Sequence, residues 1–356
     1  MKTTRHAAAC MLILALAFVF TACGPAPAPS ASAAPTLTPA QTAAGTPSAT
    51  PTPAEPTLDP ALVSPTTGLQ YSGQYRPVAV IYNNHKDCWP QTGLSSADVV
   101  YEFTVEGGVT RFMAVFNDHL PEKAGSVRSS RVSSCDLWQE WQCIYCHWGG
   151  EGDMSGPNSV AQTFKTTGIQ IRVDGLVDTT YMFRDASNHP PHNGFVNVAK
   201  AAELYEKKNY TPPVHTFAFD PQAALSAWQP ISTLSIPYGY PVNYQWDAAS
   251  GSFLRFSNKK PTVDKDTGSQ IGVKNLIVMF MPHRTLPTAE HHVVIDNVGS
   301  GKAIFCRDGK YIEGTWEKQT KQSPAVYKDK NGDPVTFTPG NTWISVVKTG
   351  FGVAVE

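Results

Sequence analysis

Residues 76–84 of the chain are RPVAVIYNN, and residues 99–116 are VVYEFTVEGGVTRFMAVF. Both stretches are dominated by β-branched and aromatic side chains, a composition typical of buried strands. We therefore predict strands at 77–82, 99–105 and 112–116. These three buried strands would belong to a mixed sheet in the N-terminal part of the chain.

The residues that follow alternate between helix and strand patterns. Ser133 or Ser134 is a candidate cap for a helix that runs through Trp141, and 159–165 and 195–208 have apolar residues at helical spacing. Residues 143–148 and 181–183 have the composition of strands. The pattern predicts an α/β layered domain with a mixed sheet, spanning residues 67–212.

After about Thr211 the sequence loses the helical period. Short runs of alternating apolar residues flank turn signals, such as Asp308-Gly309 and Asn331-Gly332. We predict a β-rich antiparallel domain at 213–356, and therefore an α+β fold class for the whole chain. Because 211–220 is apolar and contains proline, unlike a tether, we expect the two domains to pack together.

The N-terminus has the features of a bacterial export signal. A basic start with Lys2 and Arg5 precedes an apolar stretch at 7–20, and small residues lead to Cys23. The segment Phe20-Thr-Ala-Cys23 resembles a lipobox, in which a lipid is attached to the cysteine thiol. We predict a signal peptide at 1–22 and a lipid on Cys23, with plain secretion as the alternative. The lipid would make the membrane a partner and place the protein on its extracytoplasmic face.

Composition separates the next segment from the folded part. Residues 23–66 are almost entirely Pro, Ala, Thr and Ser, and they carry only Glu55 and Asp59 as charges. Such a segment buries too little apolar surface to offset its conformational entropy, so we predict a disordered tether. The whole chain has 28 basic and 29 acidic residues, and this lack of a basic excess argues against nucleic acid as a partner.

Several motifs in order resemble the YerB-like family of bacterial lipoproteins, a domain of unknown function. They are 76–84, PQTG at 90–93, ADVVYE at 97–102, EGGVTRFMAVF at 106–116, GSVRSSR at 125–131, HWGG at 147–150, Arg184-Asp185, Pro191-His192-Asn193, and in the C-terminal part Asp264, Gly301, Gly309, Thr315-Trp316 and GNTW at 340–343. The resemblance covers nearly everything after the tether. It implies a two-part fold and a location in the cell envelope.

Polar residues inside these apolar segments are the candidate ligand-binding residues. Buried arginines are rare unless paired, so they should face carboxylates or a ligand. Guanidinium groups match phosphate and carboxylate geometry, so one hypothesis is an anionic cell-wall ligand or an envelope protein partner. The alternative is a structural ion-pair network that uses Asp98, Glu102, Glu106 or Asp185. The candidate set is Arg111, Arg128, Arg131, His147, Arg184, Asp185, His192 and Asn193.

A second resemblance suggests catalysis. The strand with Arg111, the segment 127–131 and the Trp148-Gly149-Gly150 motif loosely resemble LytR-CpsA-Psr proteins, which transfer cell-wall glycopolymers from polyprenyl pyrophosphate. That resemblance implies that the arginines bind pyrophosphate. It also implies that Asp98, Glu106 or Asp185 acts as a metal ligand or base.

Cysteine and histidine patterns suggest two further sites, and we predict neither. Cys143-Ile-Tyr-Cys146-His147 has the spacing of covalent haem attachment, but it lies in a predicted strand. His283, His291 and His292 lack a carboxylate or cysteine at a familiar zinc spacing, which favours a solvated loop. We therefore predict no cofactor and no metal site. After the anchor, an odd number of cysteines leaves the disulfide pairing open: Cys88, Cys135, Cys143, Cys146 and Cys306.

Overall fold

The structure is a computed structural model that describes residues 62–150, 159–168 and 171–356. These residues all belong to one compact unit, Pro56–Glu356. The predicted signal peptide, Cys23 and most of the predicted tether lie outside the described residues. Among the helices of the described part, none is long and apolar enough to cross a membrane.

Strands outnumber helices in the described residues. In chain order the strands are β1 (Val78–Asn83), β2 (Val99–Thr104), β3 (Thr110–Phe116), β4 (Ala124–Gly125), β5 (Ile144–His147), β6 (Arg172–Asp174), β7 (Met182–Arg184), β8 (Gly194–Val196), β9 (Gln229–Pro230), β10 (Thr233–Ile236), β11 (Val242–Asp247), β12 (Ser252–Ser257), β13 (Lys260–Pro261), β14 (Gly272–Val273), β15 (Asn275–Met281), β16 (His283–Thr285), β17 (Val293–Ile295), β18 (Gly299–Arg307), β19 (Lys310–Lys318), β20 (Val326–Asp329), β21 (Thr342–Lys348) and β22 (Ala354–Val355). The helices are α1 (Val132–Trp138), α2 (Val160–Thr167), α3 (Val198–Ala202) and α4 (Leu204–Lys207).

A mixed sheet crosses the whole described unit. Its strand order is β20-β19-β18-β15-β21-β2-β3-β1-β5-β6, with β9 added beside β19. Strand β21, near the end of the chain, inserts between β15 and β2 and runs parallel to both. The segments before and after residue 212 therefore contribute to one sheet. These parallel pairs are where the C-terminal part departs from the predicted antiparallel arrangement.

Two layers cover the faces of the central sheet. A smaller antiparallel sheet, β13-β12-β11-β10-β22 with β14 on β12, packs on one face. That core contains Val80, Phe112 and Trp343 from the central sheet and Leu234 and Tyr244 from the smaller one. Helices α1 and α2 pack on the opposite face through Trp138, Val160 and Phe164. Because both faces are buried, the central strands are continuously apolar, and the predicted α+β class is confirmed.

Three local predictions need correction. Arg131 caps α1 in place of Ser133 or Ser134, because the Ser134 hydroxyl accepts from the Arg131 backbone N–H at 2.9 Å. Phe195 lies in β8, and the helix begins only after Asn197, whose side chain accepts from the Lys200 N–H. The predicted tether at 23–66 ends earlier, because Ser64 is fully buried and donates to Asp118 Oδ1 at 2.7 Å.

Candidate functional site

The candidate site lies at the carboxyl ends of the parallel strands. β1 runs parallel to β5. β3 lies antiparallel to both β1 and β2, so β1 and β2 also run in the same direction. Their ends bring Asn83, Glu106 and His147 to one edge of the sheet, where β3 begins with Thr110 and Arg111. In α/β sheets, ligands bind in the crevice outside this edge.

The segment 126–131 fills a gap in that edge. β1 pairs with β5 only as far as Val80. Beyond that point the Arg128 N–H donates to Ile81 O at 2.8 Å, and the Ser130 N–H donates to Gly149 O at 2.9 Å. The segment therefore lies between the diverging ends of β1 and β5. This placement brings Arg128 and Arg131 to the same edge as Arg111.

Arg131 forms a two-pronged ion pair. Its Nε donates to Glu106 Oε1 at 2.8 Å, and a terminal nitrogen donates to Glu106 Oε2 at 2.9 Å. Burial would raise the pKa of Glu106, but the hydrogen bonds and charge of Arg131, together with the charge of Arg111, lower it. The carboxylate is therefore ionised at neutral pH. His292, predicted in a solvated loop, is buried here instead, with Nε2 4.0 Å from Glu106 Oε1.

Arg111 is buried without a carboxylate partner among the described residues. It is 8 % exposed, and its guanidinium donates to Ser129 O at 2.6 Å. Burial lowers its pKa to about 9, and the charges of Arg131 and Arg128 add to that shift, while Glu106 opposes it. Burying a cation with so little compensation from the described residues costs free energy.

Arg128 completes an arginine cluster, which we define as Arg111, Arg128 and Arg131 with Glu106. The Arg128 side chain is half-buried, and its guanidinium has no hydrogen bond to any described residue. Burial lowers its pKa, Cys88 raises it, and Arg131 lowers it. The cluster thus holds three guanidinium groups against one carboxylate. Within the part of the chain that the structure describes, the cluster therefore carries an excess of positive charge.

The other predicted residues divide into separate environments. His147 is buried beneath α2: its Nδ1 lies 2.7 Å from Gly149 O, and its ring stacks on Phe164. Burial lowers the pKa of His147, and its Nε2 has no hydrogen-bond partner among the described residues. His147 lies beside the arginine cluster, and no contact joins its ring to a guanidinium of that cluster within the described part of the chain.

Arg184, Asp185 and Asn193, in the loop around residues 184–193, contact partners outside the arginine cluster. Arg184 donates to Asn193 Oδ1 at 2.7 Å, and its guanidinium stacks on Trp148 at 4.5 Å. Asp185 accepts from Lys123 Nζ at 2.5 Å. These contacts stabilise the loop. The structure does not bring Arg184, Asp185 or Asn193 into the arginine cluster.

The His192 side chain does not contact Arg184 or Asp185 and instead lies against residues of the turn after β1. Its Nδ1 lies 2.9 Å from Asn83 Nδ2 and 3.1 Å from Cys88 Sγ, and its ring stacks on His85. Burial lowers the pKa of His192, and the positive charge of Arg128 lowers it further. His192 is therefore close enough to Arg128 to sense its charge, and it is neutral at pH 7.

Family and structure comparisons decide what kind of chain this is. Residues 66–211 match the model described as "Protein of unknown function (DUF3048) N-terminal domain", and 234–344 match the corresponding C-terminal domain. The Bacillus subtilis (strain 168) protein described as "Putative lipoprotein YerB" is 31% identical over 315 residues, which cover 83% of this chain and 88% of that protein. The chain belongs to the YerB-like family. The crystal structure of Bacillus subtilis YerB superposes with a TM-score of 0.71 at 28% identity, over 83% of this chain and 99% of that one.

The cysteines of this YerB-like chain do not form a haem-binding motif. Cys143 packs in the core on the helical face of the sheet, whereas Cys146 packs in the core on the opposite face. Two thiols on opposite faces of a strand cannot both bond one haem. Cys88, Cys143, Cys146 and Cys306 are buried free thiols, and burial raises the pKa of Cys143 to about 12. Burial raises the pKa of the other three thiols too, so little thiolate forms at these four positions at neutral pH.

The carboxylates considered for catalysis are engaged elsewhere. Asp98 is buried and accepts from Thr66 Oγ1 at 2.7 Å and from the backbone of Asn117 and Asp118. Asp185 pairs with Lys123, and Glu106 pairs with Arg131. The glycopolymer-transfer hypothesis finds no support in these contacts or in the family comparisons.

A buried pair that sequence reasoning missed joins the two sheets of this YerB-like fold. Arg255 donates to Glu102 Oε1 at 3.0 Å and Oε2 at 2.9 Å, and both side chains are fully buried. Trp343 Nε1 and Thr110 Oγ1 also donate to Glu102, and the Arg255 guanidinium lies 4.8 Å from the Trp343 ring centre. One available signal was the position of Arg255, two residues after the inward-facing Phe253 on an alternating strand.

Proposed function

We propose that this protein is a lipid-anchored, extracytoplasmic envelope protein that binds an anionic cell-wall component through the arginine cluster. The observation that carries the proposal is the pair Arg111 and Arg128, two partly or fully buried guanidinium groups without a carboxylate partner among the described residues. Only Arg131 has such a partner, Glu106.

An anion bound at the arginine cluster would reduce the repulsion among its guanidinium groups. The charges of Arg131 and Arg128 lower the pKa of Arg111, which means that the three guanidinium groups repel one another. A phosphate or carboxylate placed between Arg111 and Arg128 would relieve that repulsion and accept paired N–H donors. Because the cluster lies at the carboxyl ends of β1 and β5, such a ligand would occupy the usual crevice of an α/β sheet.

The proposed location has separate support. The lipobox-like segment before Cys23 predicts a lipid anchor, and the Bacillus subtilis relative is described as a lipoprotein. Pro-rich segments act as extended spacers where they are polyproline-like, and the predicted tether is rich in proline. A protein tethered in this way on the outer face of a membrane would meet the polyanionic polymers of the wall.

We expect Arg128→Ala to lower the affinity for an anionic probe by about ten- to a hundredfold, because a hydrogen bond to a charged group contributes roughly 1.5–3 kcal/mol. The probes are inorganic pyrophosphate, purified teichoic acid and a muropeptide, each titrated calorimetrically into the purified protein. Arg184→Ala is the matched control, because Arg184 is already paired with Asn193. The proposal fails if Arg128→Ala binds all three probes as tightly as the wild type does, with thermal stability unchanged.

The anchor is tested in the native host. We expect Cys23→Ala to lose all labelling by a clickable fatty-acid analogue, and the protein to shift to the medium or to accumulate as uncleaved precursor. Cys10→Ala is the matched control and should keep the label, because Cys10 lies too early for a full apolar region before it. Continued labelling of the Cys23→Ala protein would refute lipidation at this residue.

A further inference from the structure

Two loops bring together three side chains that ligate metals. His85 and Asp87 lie in the turn after β1, and His192 lies in the loop before β8. One ligand atom from each of the three lies within 4.8 Å of the others. Two imidazoles and one carboxylate form a donor set that suits zinc and related transition metals.

The spacing of these atoms fits one small cation. His85 Nδ1 and Asp87 Oδ2 are 3.2 Å apart. Zinc bonds of about 2.0–2.2 Å at tetrahedral angles separate two ligand atoms by roughly 3.4 Å. The His85 and His192 rings stand nearly parallel, with centroids 5.8 Å apart and an interplanar angle of 6°. Because the lone pair of an imidazole nitrogen lies in the plane of its ring, these rings would have to turn about their side-chain bonds to direct a nitrogen each at one ion.

Neighbouring residues fix the positions of the three side chains, and His85 and Asp87 are still partly exposed to solvent. The short turn Lys86–Cys88 fixes His85 and Asp87 on one side, and Asn83 and Cys88 contact Nδ1 of His192 on the other. A metal-ligating imidazole donates its other ring N–H to an acceptor, so a metal at Nε2 of His192 would place the proton on Nδ1, where Cys88 Sγ can accept it. The side chains of His85 and Asp87 are 36% and 56% exposed, so an ion can reach them from solvent.

We propose that His85, Asp87 and His192 bind one divalent transition-metal ion of the zinc class. Three protein ligands leave a fourth coordination position open, as in zinc sites that bind water or substrate, whereas structural zinc sites use four protein ligands. Asn84 and Lys86, which flank His85, line a cavity of about 520 Å³ together with Trp89, Phe112 and Pro261. The open position would thus lie beside a space large enough for a small ligand.

The three ligands are distinct from the arginine cluster, so the inference goes beyond the proposed function. Sequence patterns missed this site because His85 and His192 are 107 positions apart in chain numbering, and only the folded sheet edge brings their loops together. The predicted absence of a metal site was based on local spacing alone.

The test is a calorimetric titration of the purified, metal-stripped protein with Zn²⁺, repeated with Co²⁺ to read coordination from visible absorption. We expect one equivalent to bind, and His85→Ala, Asp87→Asn and His192→Ala each to weaken binding at least about tenfold. His189→Ala is the matched control, because His189 is an exposed histidine of the same loop as His192 and should leave binding unchanged.

Two results would overturn the inference. One is a wild-type protein that binds no more Zn²⁺ than the His85→Ala/His192→Ala double variant. The other is a loss of affinity in His189→Ala equal to that in His192→Ala, which would indicate adventitious binding to surface histidines. Asp87→Asn guards against misfolding as an explanation, because its side chain is exposed and circular dichroism of this variant should match the wild type.

Discussion

Replacing Arg255 by Met should lower the free energy of unfolding by about 3–5 kcal/mol, the usual cost of leaving one charge of a buried pair uncompensated. Arg255 and Glu102 are both fully buried, and Glu102 also accepts hydrogen bonds from Thr110 and Trp343. Without the guanidinium, the Glu102 carboxylate would remain in the core between the two sheets. Urea unfolding followed by tryptophan fluorescence measures the change.

Two further variants separate a buried-charge effect from a general loss of packing. The double variant Arg255→Met/Glu102→Leu should recover much of the stability, because replacing both partners with apolar residues is often neutral. Arg284→Met breaks the exposed pair with Asp296, 2.9 Å apart, and should cost no more than about 1 kcal/mol. If the double variant were as unstable as Arg255→Met, packing and not charge would explain the loss.

Acidification should destabilise the protein through His215. This side chain is buried and stacked on Trp141 with ring centroids 4.1 Å apart. Burial lowers its pKa to about 4, against the opposing charge of Glu140. The unfolded chain therefore takes up a proton at higher pH than the folded chain does. The resulting stability is complete above pH 6.5 and is lost as pH falls towards 4, for a total of about 3 kcal/mol.

The measurement compares the pH dependence of unfolding in wild type and His215→Phe, a change that keeps an aromatic ring against Trp141. Between pH 7 and pH 5 the wild type should lose about 2 kcal/mol more than the variant does. His119→Phe changes an exposed histidine and should follow the wild-type curve. Parallel curves for the wild type and His215→Phe would show that another group controls the acid sensitivity.

Much of the fold was predictable because its signals are local. The strands at 77–82, 99–105 and 112–116 match β1 to β3, and the Asp308-Gly309 turn joins β18 to β19 as predicted. Strand composition and turn residues act over a few neighbouring positions, so a sequence pattern is enough to identify them. Membership in the YerB-like family was also predictable, because the order of the motifs along the chain can be read from the sequence without a structure.

The candidate site was predictable only in part. The motif at 125–131 and the position of Arg111 pointed to an arginine cluster, and the structure places those three arginines at one sheet edge. Sequence reasoning could not tell that Glu106 pairs with Arg131 and leaves Arg111 without a carboxylate among the described residues. It also grouped Arg184 and Asp185 with the cluster, although Arg184 pairs with Asn193 of its own loop and Asp185 pairs with Lys123.

The amino-acid sequence by itself determined the central strands β1 to β3, the Asp308-Gly309 turn, the predicted export signal and the membership in a family. Only the tertiary structure decided that β21 lies between β15 and β2, that Arg255 meets Glu102, and that His192 meets His85. The physical reason is that burial and sheet register decide which distant residues a side chain contacts. Both depend on how the whole chain packs. Local periodicity places a residue on a face of a strand but says nothing about which strand lies beside it.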